Sequence, residues 1–348
     1  MAYTTIDDPE AYFQITTWTG NGSTRSITLG GDTDMQPDLV WIQNRGGTYA
    51  PPVFDSVRGA TKFLEAHDAT AEQTVANTLT SFDSDGFSLG ADTSSYVNRS
   101  SSPNTYVAWC WKGGGSASAN SVGSIDSSVS ANTTSGFGIA TYTGSGSADT
   151  VGHGIGIVPQ VVIAKRRDST SHYMVYHHSL GNANELYLNQ TSAMSSAANT
   201  WNSTTPTATV SSVKNDANNT SSGTFVNYLF APVQGFSKFG KYTGNGNADG
   251  AMIFTGMKPA FLLVKKTGAT GSWWLFDNKR LGYNPATYRL YADDTAAENT
   301  TAVVDFVSNG FKFRTSDGDL NGSGVSYVYL SFAEAPFVNS NGVPCNAR

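Results

Sequence analysis

The chain repeats itself three times, and that repeat limits its fold more than any other feature. An aromatic residue followed by Thr-Gly-x-Gly occurs as Trp18-Thr19-Gly20-Asn21-Gly22, Tyr142-Thr143-Gly144-Ser145-Gly146 and Tyr242-Thr243-Gly244-Asn245-Gly246. A proline and an apolar run follow: Pro37 with Leu39-Val40-Trp41-Ile42, Pro159 with Val161-Val162-Ile163-Ala164, and Pro259 with Phe261-Leu262-Leu263-Val264. Seventeen residues beyond each proline stands an aromatic (Phe54, Tyr176, Phe276), then a polar turn. The turns read Asp55-Ser56-Val57-Arg58-Gly59, His177-His178-Ser179-Leu180-Gly181 and Asp277-Asn278-Lys279-Arg280-Leu281-Gly282. Each copy closes on an aromatic-rich segment: Tyr106–Trp111, Phe225–Phe230 and Tyr327–Phe332.

Side chains alternate faces along a strand, so each closing segment has two readable faces. Val107-Trp109-Trp111, Val226-Tyr228-Phe230 and Val328-Leu330-Phe332 are large and apolar every time, and form the core face. The opposite face varies and tolerates polarity, and Cys110 lies on it as a packing residue. The runs after the prolines do not alternate, which predicts strands buried on both sides. The Thr-Gly-x-Gly segments are turns in which Gly supplies positive φ.

The expected architecture is all-β: three tandem β-sandwich units at 1–112, 136–232 and 233–336, with a C-terminal tail at 337–348. The Gly/Ser-rich stretch 113–135 reads as a flexible linker, which sets unit one apart from a closely coupled pair. Ala, Glu and Gln concentrated between Ala60 and Thr80 suggest one helix there. Serial β units rich in Gly, Ser, Thr and Asn, with 12% aromatic and only 14% charged residues, exclude a helical bundle and a disordered chain. No apolar run reaches 18 residues, so no membrane insertion is expected, and the N-terminal residues show no signal-peptide pattern.

A formal net charge of −6 gives no footprint for nucleic acid. Cys110 and Cys345 make no disulfide framework and no CxxC motif. Catalytic signatures are absent, so no catalytic residue, cofactor or metal site is assigned. His177 and His178 are strand neighbours pointing to opposite faces and cannot easily share an ion. Asp317-Gly318-Asp319-Leu320-Asn321-Gly322 matches half of a calcium loop, but its twelfth position is Val328, where a bidentate Glu is needed. A polysaccharide-cleaving pair of carboxylates requires two acids at a set separation, and no acid recurs in all three copies. The ligand-binding candidates are aromatics with polar neighbours, Trp201, Trp273, Trp274 and Tyr49, whose ring faces could stack on sugars.

Pro37–Arg45, Phe54–Gly59, Ser81–Phe87 and Tyr106–Lys112 resemble a repeated lectin-like domain of tailed-bacteriophage structural proteins, especially marine and cyanobacterial phages. The resemblance is closest over residues 10–115, and units two and three look like diverged copies. It implies concanavalin-like (jelly-roll) sandwiches in a virion surface protein made in the bacterial cytoplasm, of the tail-fibre or spike kind, contacting host glycan. The alternative it leaves open is a capsid- or tail-decoration or assembly protein without glycan binding. Other virion proteins are the implied partners. Fibre and spike proteins are often trimers, though no heptad stretch here supplies a stalk. The family carries no known binding residues onto this sequence, and His177-His178 departs from the Asp-containing turn of the other copies.

Overall fold

The computed structural model describes residues 2–345 apart from 95, 102, 103, 198, 215 and 282, so Gly282 of the third turn and the last three residues of the tail lie outside it. The chain is all-β, 44% strand and 2% helix, in several antiparallel sheets. Each repeat builds one long sheet with the same central order. In the first, Phe13–Thr19 pairs with Thr105–Trp111, which pairs with Leu39–Asn44, then Pro52–Asp55 and Lys62–Glu65. In the second the order is Phe137–Thr143, Thr224–Phe230, Val161–Arg166, Met174–His177, Asn184–Tyr187. In the third it is Ser237–Thr243, Ser326–Pro336, Met257–Lys266, Trp273–Asp277, Ala286–Tyr291. The closing segment thus lies second in each of these orders, between the strand carrying the Thr-Gly marker and the post-proline strand.

The post-proline strands Leu39–Asn44 and Val161–Arg166 begin two residues after their prolines. Pro259 instead lies inside its strand, where the ladder shifts register on either side of it. A residue without an N–H is tolerated at such an irregularity.

Both faces of the long sheets are buried. Val107, Trp109 and Trp111, with Val226, Tyr228, Phe230, Val328, Leu330 and Phe332, belong to a single core shared by all three repeats. Trp111, Phe230 and Phe332 meet mutually there, with ring centroids 5.5–6.1 Å apart. The opposite faces pack into three separate cores, one per repeat, against shorter strands such as Arg25–Thr28 and Gly86–Leu89. Tyr106, Ala108 and Cys110 are wholly buried in the first of these. The face read as variable is therefore the one that packs into each repeat's own core. The face read as the core is where repeat meets repeat.

Three expectations are corrected. The 113–135 stretch is no flexible linker: Ser118–Asn120 and Ser127–Asn132 are strands that extend the second long sheet beyond Phe137–Thr143. Its Gly-Ser composition is accommodated because ladder pairing satisfies main-chain N–H and C=O groups whatever the side chains. Unit one is not set apart, since Phe13 stacks on Phe332 at 5.2 Å and packs against Phe261 at 5.8 Å. Nor is there a helix between Ala60 and Thr80. Lys62–Glu65 is a strand there, with Phe63 in the first repeat's own core and Leu64 in the shared core.

Candidate functional site: the seams between repeats

The polar turns after the middle aromatics each reach into the next repeat. Asp55 accepts from the Arg58 backbone N–H at 2.8 Å, pairs with the Arg58 guanidinium, and accepts from the hydroxyl of Tyr228 in the second repeat at 2.7 Å. Asp277 repeats the geometry: it accepts from Arg280 Nε at 2.7 Å and from the indole N–H of Trp109 in the first repeat at 3.0 Å. Both ion pairs are fully buried. Tyr228 and Trp109 occupy the same closing-strand position, and each presents a polar tip to a carboxylate. The third seam has Leu330 at that position, which can donate nothing. The turn facing it carries His177, whose Nε2 meets the Tyr329 carbonyl at 3.3 Å while its Nδ1 accepts from Ser179 N–H at 3.2 Å. Nδ1 is an acceptor, so the ring is neutral with its proton on Nε2. Burial, with His178 alongside, pushes His177 down to about 3. The departure of the second turn from the Asp-containing pattern thus follows from the apolar residue opposite it.

Each seam has a second tie. Glu72 accepts from Arg58 and from Arg167 of the second repeat, and Glu298 accepts from Arg280 and from Arg45 of the first. Burial raises the Glu72 carboxyl, but the hydrogen bond from Arg167 and the charge of Arg58 outweigh it and hold the group below its ordinary value. At the same place on the third seam, Met194 N–H donates to the Thr267 carbonyl at 2.8 Å. Lys165 reaches the Ala69 carbonyl across one seam at 2.7 Å, and Lys265 the Gln190 carbonyl across another at 3.1 Å. Burial pushes both ammonium groups down to about 8.

The aromatics expected to bind sugar are not exposed platforms. Trp273 is wholly buried in the shared core, and its indole donates to the Tyr187 carbonyl at 2.8 Å. Trp201 is buried against Tyr176 in the second repeat's core. Trp274 is buried in the third, with the Arg289 guanidinium 4.2 Å over its ring. Tyr49 is half-buried and lies over Gly47. Packing won because Trp273 and Trp274 sit on a strand with both faces covered, so adjacent rings enter two different cores. The structure does not bring these four residues together.

The calcium-like loop is also a packing device. Asn321 is buried, accepts from Asn245 N–H at 3.0 Å, and donates to the Asn247 and Thr315 carbonyls, while Asp319 pairs with Lys266 at 2.8 Å. Asn98 and Asn219 accept in the same way from Asn21 and Ser145 N–H in the other Thr-Gly turns. These asparagines, and the Asp-x-x-Arg spacing shared by repeats one and three, are the features that reading the sequence missed. The Asp-x-x-Arg pattern directly follows the middle aromatic in both copies, and the asparagines stand six to eight residues before the closing segments, so the signal was present.

One open groove crosses the seam between repeats two and three. It has a volume of about 500 Å³ and is lined by Asn189, Gln190, Thr191, Ser192, Thr270 and Asp293. Asp293 accepts from Trp273 N–H at 2.8 Å through one oxygen, while its other oxygen is buried without a partner. Burial pushes this carboxyl up to about 6. The groove offers amides, hydroxyls and one carboxyl, a lining suited to a hydroxyl-rich ligand. No helix among the described residues is long and apolar enough to cross a membrane.

No curated protein and no solved structure matches the chain. The model of DUF7483, a domain of unknown function, matches residues 8–336. That span runs from just before the 3₁₀ turn Pro9–Ala11 to the end of the strand Ser326–Pro336, and so takes in all three long sheets and every seam described above. On the strength of that match the chain belongs to the DUF7483 family.

Proposed function

We propose that the chain is a structural component of a tailed-phage virion, a rigid decoration or assembly block on the particle surface that works through contacts with other virion proteins. The observation that supports this most is the single core shared by three repeats, with Trp201, Trp273 and Trp274 spent on packing. A protein whose aromatics hold its own parts together is suited to carrying load and shape. The reading takes each repeat as a lectin-like sandwich, as the sequence resemblance implies. It involves no catalytic step. Antibodies against the folded chain should label purified particles of a phage that encodes it, and its peptides should appear in their mass spectra at stoichiometric level. Absence of the chain from purified particles overturns the proposal.

The groove beside Asp293 favours a second reading, adhesion to host glycan at the seam of repeats two and three. On a glycan array this reading expects binding that Asp293→Ala or Gln190→Ala abolishes in a folded protein. No binding by the intact protein leaves the decoration role standing alone.

A further inference from the structure

We propose that Glu65, His67 and Asp68 form a divalent-cation site of the zinc class at the edge of the seam between repeats one and two. Their ligand atoms all lie within 4.8 Å of one another. Glu65 ends the strand Lys62–Glu65, and the turn after it is closed by Asp68 N–H donating to the Glu65 carbonyl, which returns Asp68 toward Glu65. Each carboxylate has one oxygen held from outside. Glu65 Oε1 accepts from Gln73 at 2.7 Å and from Tyr96 at 3.3 Å. Asp68 Oδ1 accepts from the Thr70 N–H and hydroxyl, both at 2.8 Å. Outer partners of this kind fix a ligand's orientation and leave the second oxygen for an ion.

His67 Nδ1 is the third donor atom, 3.9 Å from Glu65 Oε2, buried and without a hydrogen-bond partner. Comparison of the repeats explains why it is free. The equivalent positions are Asn189 and Asp293, and each accepts the backbone N–H of the residue opposite, Tyr173 or Trp273. The residue opposite His67 is Pro51, which has no N–H to give; Ala66 N–H donates to the Pro51 carbonyl as Leu188 and Ala292 donate to Tyr173 and Trp273. The proline thus releases a lone pair that in the other repeats is committed to the fold.

One imidazole nitrogen with two carboxylate oxygens matches zinc-class ions better than calcium, which takes only oxygens. Tetrahedral ligands about 2.1 Å from zinc lie about 3.4 Å apart, so each atom closes in by less than about 1 Å. The His67 side chain is about one-fifth exposed, so the cluster lies close to solvent although Nδ1 itself is covered. Lys165 holds the carbonyl of Ala69, the next residue, so an ion here also braces the seam.

The test is calorimetric titration of the untagged full chain with Zn²⁺, Mn²⁺ and Ca²⁺, together with His67→Ala, Glu65→Gln and, as a control, His172→Ala. One Zn²⁺ per chain is expected, with binding weakened at least about tenfold by His67→Ala and by Glu65→Gln and unchanged by His172→Ala. Zn²⁺ should also raise the melting temperature of the wild type and not that of His67→Ala, whose circular dichroism reports whether it has folded. The site is overturned by no saturable binding, by Zn²⁺ binding that survives both substitutions, or by Ca²⁺ binding as tightly as Zn²⁺.

Discussion

At the residue scale the seams depend on few groups. Asp55 is wholly buried between Arg58 and Tyr228. Removing one member of a buried ion pair leaves an uncompensated charge, so Asp55→Ala should cost about 3–5 kcal/mol in a denaturant titration. Tyr228→Phe removes one donor and keeps the packing, and should cost about 1–3 kcal/mol. Equal losses would mean that the ion pair is not what the site depends on. His177 gives the seam a pH dependence. Its folded-state value of about 3 lies below the ordinary 6.5, so below pH ~6.5 the unfolded chain binds a proton that the folded chain refuses. Its contribution is complete above that point and is lost progressively as pH falls toward 3. Asp293, raised from 3.8 to about 6, acts in the opposite direction as pH falls from about 6 to 3.8, because its cost is relieved on protonation. Melting temperatures of wild type and His177→Gln between pH 3 and 7 separate the two: the variant should lose less stability on acidification than the wild type.

At the element scale, the Thr-Gly-x-Gly turns show what could be read in the sequence. The second glycines, Gly22, Gly146 and Gly246, have φ of 67–79°, the conformation expected of them. The first glycines serve another end. A Cβ on Gly20, Gly144 or Gly244 would collide with a backbone carbonyl, of Arg99, Thr220 or Gly322. Gly244→Ala should therefore destabilise by about 1–3 kcal/mol in chemical denaturation, with the far-UV spectrum unchanged below the transition. A loss near zero would show that the carbonyl yields. Strand periodicity was legible because alternation is local: Val107-Trp109-Trp111 and Tyr106-Ala108-Cys110 separate without any tertiary knowledge. What covers each face was not legible, because the partners of Trp109 and Tyr228 are turns more than 160 residues distant. The same limit hid the burial of Trp273 and Trp274 and made Ser118–Asn120 and Ser127–Asn132 read as linker. The Glu65, His67 and Asp68 cluster was hidden in another way, since His67 Nδ1 is left without a partner by Pro51 lying opposite it, a pairing that only the fold reveals.

At the scale of the whole molecule, three copies of one unit close on each other as a ring. The turn of repeat one enters repeat two, that of two enters three, and that of three enters one. A unit cut from this arrangement exposes one whole face of its long sheet, including residues such as Trp109 and Trp111. Independent folding of the units is therefore not expected, and the chain should unfold as one body. Scanning calorimetry of the intact chain measures this directly. A single transition, with calorimetric and van't Hoff enthalpies equal, is the predicted result. Two or three resolved transitions, with enthalpies in proportion to repeat size, would contradict the shared core.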